Sequence, residues 1–278
     1  MNEVAATAGY FVSRLDGKKI LFRAARRESG KAVLILHGAC EHSGRYLHLT
    51  KFLGEQGYSV FAPDLRGHGR SEGRPVHVER FSDYLSDLDQ MLNWIREPGC
   101  LRVHLLGHSM GGLIVARYVQ EYQPDITSLI LSSPLFGWKK MPRIKIFVGK
   151  VISRIWPTFS FKNPVDETAL SHDESVVREY RQDPLAYNVG TARFGAELTK
   201  NFAILFEKAK TIRAPLLLLA GGADQITDLK ASREFFEKVG SRDKECYIFE
   251  EMYHEIFNET EKENPLGRLA DWLRKLDG

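Results

Sequence analysis

Serine, histidine and aspartate can together make a nucleophile, and three widely separated stretches of this 278-residue chain carry them in turn-forming contexts. The run Leu105-Leu106-Gly107-His108-Ser109-Met110-Gly111-Gly112 holds G-x-S-x-G between an apolar strand-like stretch and a helical one. In such a turn the serine is strained and its hydroxyl stands clear of the backbone, with small neighbours permitting the bend. A helix opening directly after Ser109 also favours negative charge developing there. Chance would place such a pentapeptide in about one chain in ten of this length. Its position between strand and helix is therefore what carries the reading.

A serine hydroxyl is a weak nucleophile and needs a base that is itself oriented by an acid. Where the serine tops a strand in a mostly parallel sheet, acid and histidine follow in that chain order. Asp224 lies just past the apolar run Leu216 to Ala220, behind Gly221-Gly222-Ala223. Asp228, Asp166 and Asp173 compete with it, although Asp228 reads as the N-cap of the next helix. Of nine histidines, only His254 follows the last strand-like run, in Phe249-Glu250-Glu251-Met252-Tyr253-His254. The spacing thus predicts Ser109 as nucleophile, His254 as base and Asp224 as orienting acid. An oxyanion needs two donors. These are expected to be the backbone N–H groups of Met110 and of Ala39, in the turn His37-Gly38-Ala39-Cys40. Cys40 is expected to line the site as an inert wall. His108 is expected to point away from the nucleophile and pack, His104 to be a satisfied strand histidine, and Asp64 and His68 to be structural.

These residues need a frame. Tyr10–Arg14 and Lys19–Ala24 read as a hairpin around Asp16-Gly17. Strands are expected at Ala32–Leu36, Tyr58–Pro63, Arg102–Leu106, Ile126–Ser132, Leu216–Ala220 and Glu245–Phe249. Helices are expected at Ser43–Gln56, closed by Gly57, at Phe81–Arg96, ending at Pro98-Gly99, and at Gly111–Tyr122, Leu229–Val239 and Pro265–Leu276. The alternation predicts an α/β fold, a mostly parallel central sheet flanked by helices. It breaks off after Pro134. Residues 1–134 and 206–278 read as the core. Residues 135–205 read as a helical cap or lid insertion with no convincing strand, leaving from a strand's carboxyl end, where ligands bind in such sheets.

Composition narrows the class. The chain is 43% hydrophobic and 27% charged, with a net charge of +3 over 39 basic and 36 acidic residues. That near balance gives no footing for nucleic acid. Three cysteines, Cys40, Cys100 and Cys246, form no disulfide framework or zinc site and suit a reducing, cytoplasmic setting. The opening MNEVAATAGY lacks a secretory pattern, and no apolar run is long enough to span a bilayer. The chemistry requires no metal and no organic cofactor.

With these residues in hand, the chain resembles the monoacylglycerol lipase and lysophospholipase branch of the α/β hydrolases over almost its whole length. The resemblance rests on HGACEHSGRY (His37 to Tyr46), PDLRGHGRSEG (Pro63 to Gly73), GHSMGG (Gly107 to Gly112), DPLAY (Asp183 to Tyr187), GGADQITD (Gly221 to Asp228) and YHE (Tyr253 to Glu255). It implies a serine esterase that cleaves fatty-acyl monoesters through an acyl-enzyme on Ser109 under a hydrophobic cap. Position by position, it implies Ser109, Asp224 and His254 as triad and Ala39 and Met110 as oxyanion donors. One departure is Cys40, where this branch usually has glycine; a side chain there narrows the substrate space. The insertion shares little beyond DPLAY. Its stripe of Ile144, Phe147, Val148, Val151, Ile152 and Ile155, with Lys145, Lys150 and Arg154 elsewhere on the helix, is expected to pack on the core. Phe147, Val148, Val151 and Ile152 would there line an acyl channel, and the same helix could touch a lipid surface transiently. A short-chain carboxylesterase, a thioesterase or an amidase could use the same triad. A ligand-binding receptor of negligible turnover would have no need of all three side chains.

Overall fold

A computed structural model describes residues 6–97, 102–139, 141–162 and 166–278. The expected stop at Pro98-Gly99 and Cys100 lie outside the described residues. In chain order the elements are β1 (Thr7–Val12), β2 (Lys19–Ala25), β3 (Lys31–Leu36), α1 (Leu47–Glu55), β4 (Ser59–Pro63), α2 (Phe81–Arg96), β5 (Arg102–His108), α3 (Met110–Tyr122) and β6 (Ser128–Ser132). After these come α4 (Arg143–Ile155), β7 (Ser160–Lys162), α5 (Glu174–Gln182), β8 (Val189–Thr191) and α6 (Ala192–Glu207). The chain closes with β9 (Leu216–Gly221), α7 (Leu229–Lys238), β10 (Lys244–Phe249) and α8 (Glu263–Asp277).

Eight strands form one sheet in the order β1-β2-β4-β3-β5-β6-β9-β10. β1 and β2 pair antiparallel, as do β2 and β4, and every later pairing is parallel. Strand alternation splits the core in two. Ala32, Leu34 and Leu36 of β3 and Leu216 and Leu218 of β9 face α2, α3, α6 and α7. Val33, Ile35, Leu217 and Leu219 face α1 and α8. A residue such as Leu218, with no exposed surface, contributes roughly 1.5–3 kcal/mol by burial. From β3 the chain steps to β4 on one side and then to β5 on the other. That reversal opens a crevice at the carboxyl ends of β3 and β5.

Boundaries moved where local geometry tightened. The expected helix from Ser43 starts as a 3-10 turn, Ser43–Tyr46, and becomes α-helical only at Leu47. Between β6 and β9 the chain is not free of strands: β7 and β8 pair antiparallel, with Ser160 opposite Thr191 and Lys162 opposite Val189. Three residues per strand are too few to show a period in the sequence. α6 is part of the core wall, since Phe194, Leu198, Phe202 and Leu205 join the main cluster.

α4 corrects another expectation. Its apolar stripe does not pack on the core: Ile144, Phe147, Val148, Val151 and Ile155 are exposed, Ile155 by 80% and Phe147 by 63%. α4 lies against α6, and its less exposed positions are Ile146, Gly149, Ile152 and the buried Ser153. Amphipathic spacing predicts that a face exists, not what covers it.

Candidate active site

Ser109 sits between β5 and α3 with φ 51° and ψ −117°, a left-handed conformation that costs a non-glycine residue energy. Its neighbours hold it there. The Ser109 N–H donates to the Ser132 carbonyl at 3.0 Å, and its own carbonyl accepts from the Leu135 N–H at 2.9 Å. A Cβ on Gly107 would stand 2.4 Å from the Gly111 carbonyl oxygen, and one on Gly111 would stand 2.2 Å from that of Leu36. The glycines are thus demanded by close backbone approach at both ends of the turn. Met110 opens α3, so its N–H has no intrahelical acceptor.

The loop after β3 lies against this turn, since a Cβ on Gly38 would stand 3.1 Å from the Ser109 Cβ. Ala39, the next residue along this loop, is half-buried. His37 pins the loop: its Nε2 accepts from the Leu65 N–H at 2.9 Å, while Nδ1 faces the Gly38 carbonyl at 2.7 Å. Burial pushes His37 down to about 4, so the ring is neutral near pH 7. Cys40 is buried with φ 65°, a region that favours glycine and costs an L side chain about 1–2 kcal/mol.

Asp224 follows β9 and His254 follows β10. Asp224 Oδ2 receives the His254 Nδ1–H at 2.8 Å and the Thr227 hydroxyl at 2.6 Å. Its Oδ1 receives the N–H groups of Ile226 and Thr227 at 2.7 and 3.1 Å. Burial alone would raise the carboxyl, but the imidazole and these donors outweigh it and hold Asp224 at about 2. Burial works against the charged form of His254, while Asp224, Glu255 and Glu41 raise its pKa above the usual value. With Nδ1 committed to Asp224, Nε2 is the nitrogen left to accept a proton. Among the described residues Ser109 and His254 share no hydrogen bond; in unliganded enzymes such contacts often tighten only around substrate. They share a wall: His108, next to Ser109, packs its ring 4.6 Å from that of His254. His108 therefore packs, as expected, but against His254. Burial pushes it down to about 3 and keeps it uncharged.

The competing residues have other work. Asp228 caps α7 through the Lys230 and Ala231 N–H groups, Asp173 caps α5, and Asp166 caps the turn Glu167–Ala169. Asp64 accepts from the Ser43 N–H and hydroxyl and from the Arg70 N–H. His104 bridges Ser128 and Asp277, and His68 is fully buried. Among the described residues no group of three or more His, Cys, Asp or Glu side chains is placed to hold a metal ion.

A family model described as "Serine aminopeptidase, S33" matches residues 27–261. The chain is 32% identical over 248 residues to a monoacylglycerol lipase of Mycolicibacterium smegmatis, covering 87% of each. It is also 32% identical over 235 residues to the phospholipase YtpA of Bacillus subtilis, covering 84% of this chain and 90% of that one. The crystal structure of a Paleococcus ferrophilus monoacylglycerol lipase superposes with a TM-score of 0.84 at 31% identity, over 98% of this chain and 100% of that one. The chain belongs to this α/β-hydrolase family. It is a hydrolase of the branch that holds the monoacylglycerol lipases.

In this hydrolase the segment between β6 and β9 is bonded to the site's rim. The Cys40 carbonyl accepts from the Tyr187 N–H at 2.9 Å and from the Tyr180 hydroxyl at 3.3 Å. His42 Nε2 meets Asp183 at 2.7 Å, and the Glu255 N–H donates to the Leu170 carbonyl at 2.8 Å. Ser109, His254 and Asp224 are covered, at 7%, 4% and 1% exposure. Phe147, Val148 and Val151 lie on the solvent side of α4, and Ile152 is half-buried. Sequence reasoning missed Thr227, which holds Asp224, and Glu41, Arg45 and Glu255. The last three lie inside HGACEHSGRY and YHE, but no periodicity or spacing rule marked them.

Proposed function

We propose that this hydrolase cleaves fatty-acyl monoesters of small polyols, with Ser109 as nucleophile, His254 as base, Asp224 as its orienting acid, and the Ala39 and Met110 N–H groups as oxyanion donors. The observation that carries the reading is the strained Ser109 turn beside a histidine whose Nδ1–H is held by a well-ionised aspartate. His254 removes the hydroxyl proton as Ser109 attacks the carbonyl, then returns it to the leaving alcohol. Water repeats the cycle and frees the fatty acid. The names of the similar proteins, lipases and a phospholipase, support an ester over an amide.

The exposed stripe of α4, with Trp156 59% exposed beside it and Lys145 and Lys150 flanking it, supports transient seating on a lipid surface. Phe147, Val148, Val151 and Ile152 would then meet the acyl chain first. Among the described residues no helix is long and apolar enough to cross a membrane.

A fluorophosphonate probe and esters of graded chain length test the chemistry. The parent should label and prefer long-chain monoacylglycerol over lysophospholipid, and Ser109→Ala should lose labelling and at least about 10⁴-fold in kcat. Equal labelling of Ser109→Ala refutes the assignment. Flotation with anionic vesicles tests the surface: Phe147→Asp with Ile155→Asp should reduce binding, and unchanged binding removes that half of the reading.

A further inference from the structure

Two loops must keep their relative position for the chemistry above: the one after β3, carrying Ala39, and the one after β10, carrying His254. A buried chain of charges joins them. Glu41 Oε1 receives the Gly38 N–H at 2.6 Å and the Tyr46 hydroxyl at 2.8 Å. Arg45 Nε stands 3.7 Å from Glu41 Oε2, and its Nη2 donates to Glu255 Oε2 at 2.6 Å. Glu255 also receives the Asn258 side-chain amide at 2.8 Å. The guanidinium lies over the Tyr180 ring, 4.8 Å from its centroid. The three charged side chains are at most 10% exposed. One cation thus serves two carboxylates, one on the loop of the oxyanion donor and one directly after the base.

We propose that Arg45 is a positioning residue, fixing the oxyanion loop to the base loop through Glu41 and Glu255 and balancing the carboxylates that face His254. The inference rests on the triad reading. Stability alone is a poor account of such a bridge, because buried ion pairs replaced by apolar residues often leave a protein as stable. Among the described residues, charged and titratable groups face the imidazole from several elements. Asp224 holds Nδ1 from the loop after β9, and Glu255 and Glu41 add negative charge from the adjoining loops. His108 lies uncharged against the ring from β5. Lys139 donates to the Asp224 main-chain carbonyl. Arg45 is the cation bonded to the two extra carboxylates. Without it they hold the imidazolium proton more strongly, so the base forms only at higher pH.

The test is the acid limb of kcat/KM between pH 5 and 9, measured on p-nitrophenyl octanoate with fluorophosphonate titration of active sites. Arg45→Met should move the limb up by about one pH unit and lower kcat by roughly 100-fold with KM nearly unchanged. Glu255→Gln should move the limb down. Arg45→Lys should restore the limb to the parent's position and recover part of kcat. If Arg45→Met does not fold, Glu255→Gln and Arg45→Lys decide: a lowered limb in the first and a parental limb in the second support the inference. Variants that lose only thermal stability while keeping the parental limb overturn it. A parent that neither labels nor turns over the ester overturns the functional reading, and the inference with it; an active parent with unmoved limbs in its variants overturns the inference alone.

Discussion

Replacing Asp224 with asparagine changes one oxygen to an NH₂, and the surrounding bonds dictate which one. Oδ1 receives two backbone N–H groups, from Ile226 and Thr227, so an amide nitrogen there would face two donors and lose both bonds. The carboxamide oxygen must take that place, leaving the NH₂ at Oδ2, against Thr227 Oγ1 and His254 Nδ1. The hydroxyl can turn to accept. The imidazole can accept only by shifting its proton to Nε2, the nitrogen that receives the Ser109 proton in the proposed mechanism. Asp224→Asn therefore folds but presents the wrong tautomer. In the serine-protease example of this substitution kcat falls about 10⁴-fold, equivalent to about 5 kcal/mol of transition-state stabilisation. Steady-state turnover of a long-chain ester, normalised to correctly folded protein, reads this directly. Stability should fall as well. The Asp224 pKa is held at about 2 against an ordinary 3.8, which corresponds to about 2 kcal/mol present above pH 3.8 and lost as pH falls towards 2. His254 has the opposite sign: its raised pKa adds stability fully present below 6.5 and lost as pH rises through the folded-state value. A variant retaining a tenth of parental kcat would refute the tautomer argument.

Two further substitutions probe the frame. Gly111→Ala drives a Cβ to 2.2 Å from the Leu36 carbonyl oxygen and 2.6 Å from that of His37. It should cost about 3 kcal/mol in urea unfolding, and a loss near zero would show that the elbow can relax. Asp277→Asn weakens the buried bonds to His104 and Tyr58 at the far end of the sheet. Those partners hold Asp277 at about 2 despite its burial, so the variant should be less stable at pH 7 and differ little from the parent near pH 2. An equal deficit at both pH values would refute the charge argument.

Much of the proposed site was legible because its parts are local. A glycine-flanked serine between strand and helix, an aspartate just past an apolar run and a histidine after the last strand are each recognisable within about ten residues. Parallel pairing then brings strand ends together at one rim whatever the details of the loops, so chain order alone assigned three side chains to one place. The two-stranded ribbon of β7 and β8 was invisible for the converse reason: its pairing lies between segments thirty residues apart, each too short to hold a period. α4 shows the limit of pattern. Spacing defined an apolar face, but the choice between core and solvent depended on α6, which meets α4 through its other side. Glu41, Arg45 and Glu255 show it again. Charged residues in loops have no periodicity, and only the approach of two distant turns makes one guanidinium the partner of both carboxylates. Local chemistry was written in the sequence; long-range electrostatics and the exposure of the insert were decided by packing, because Coulomb energy and burial depend on distances that chain order does not set.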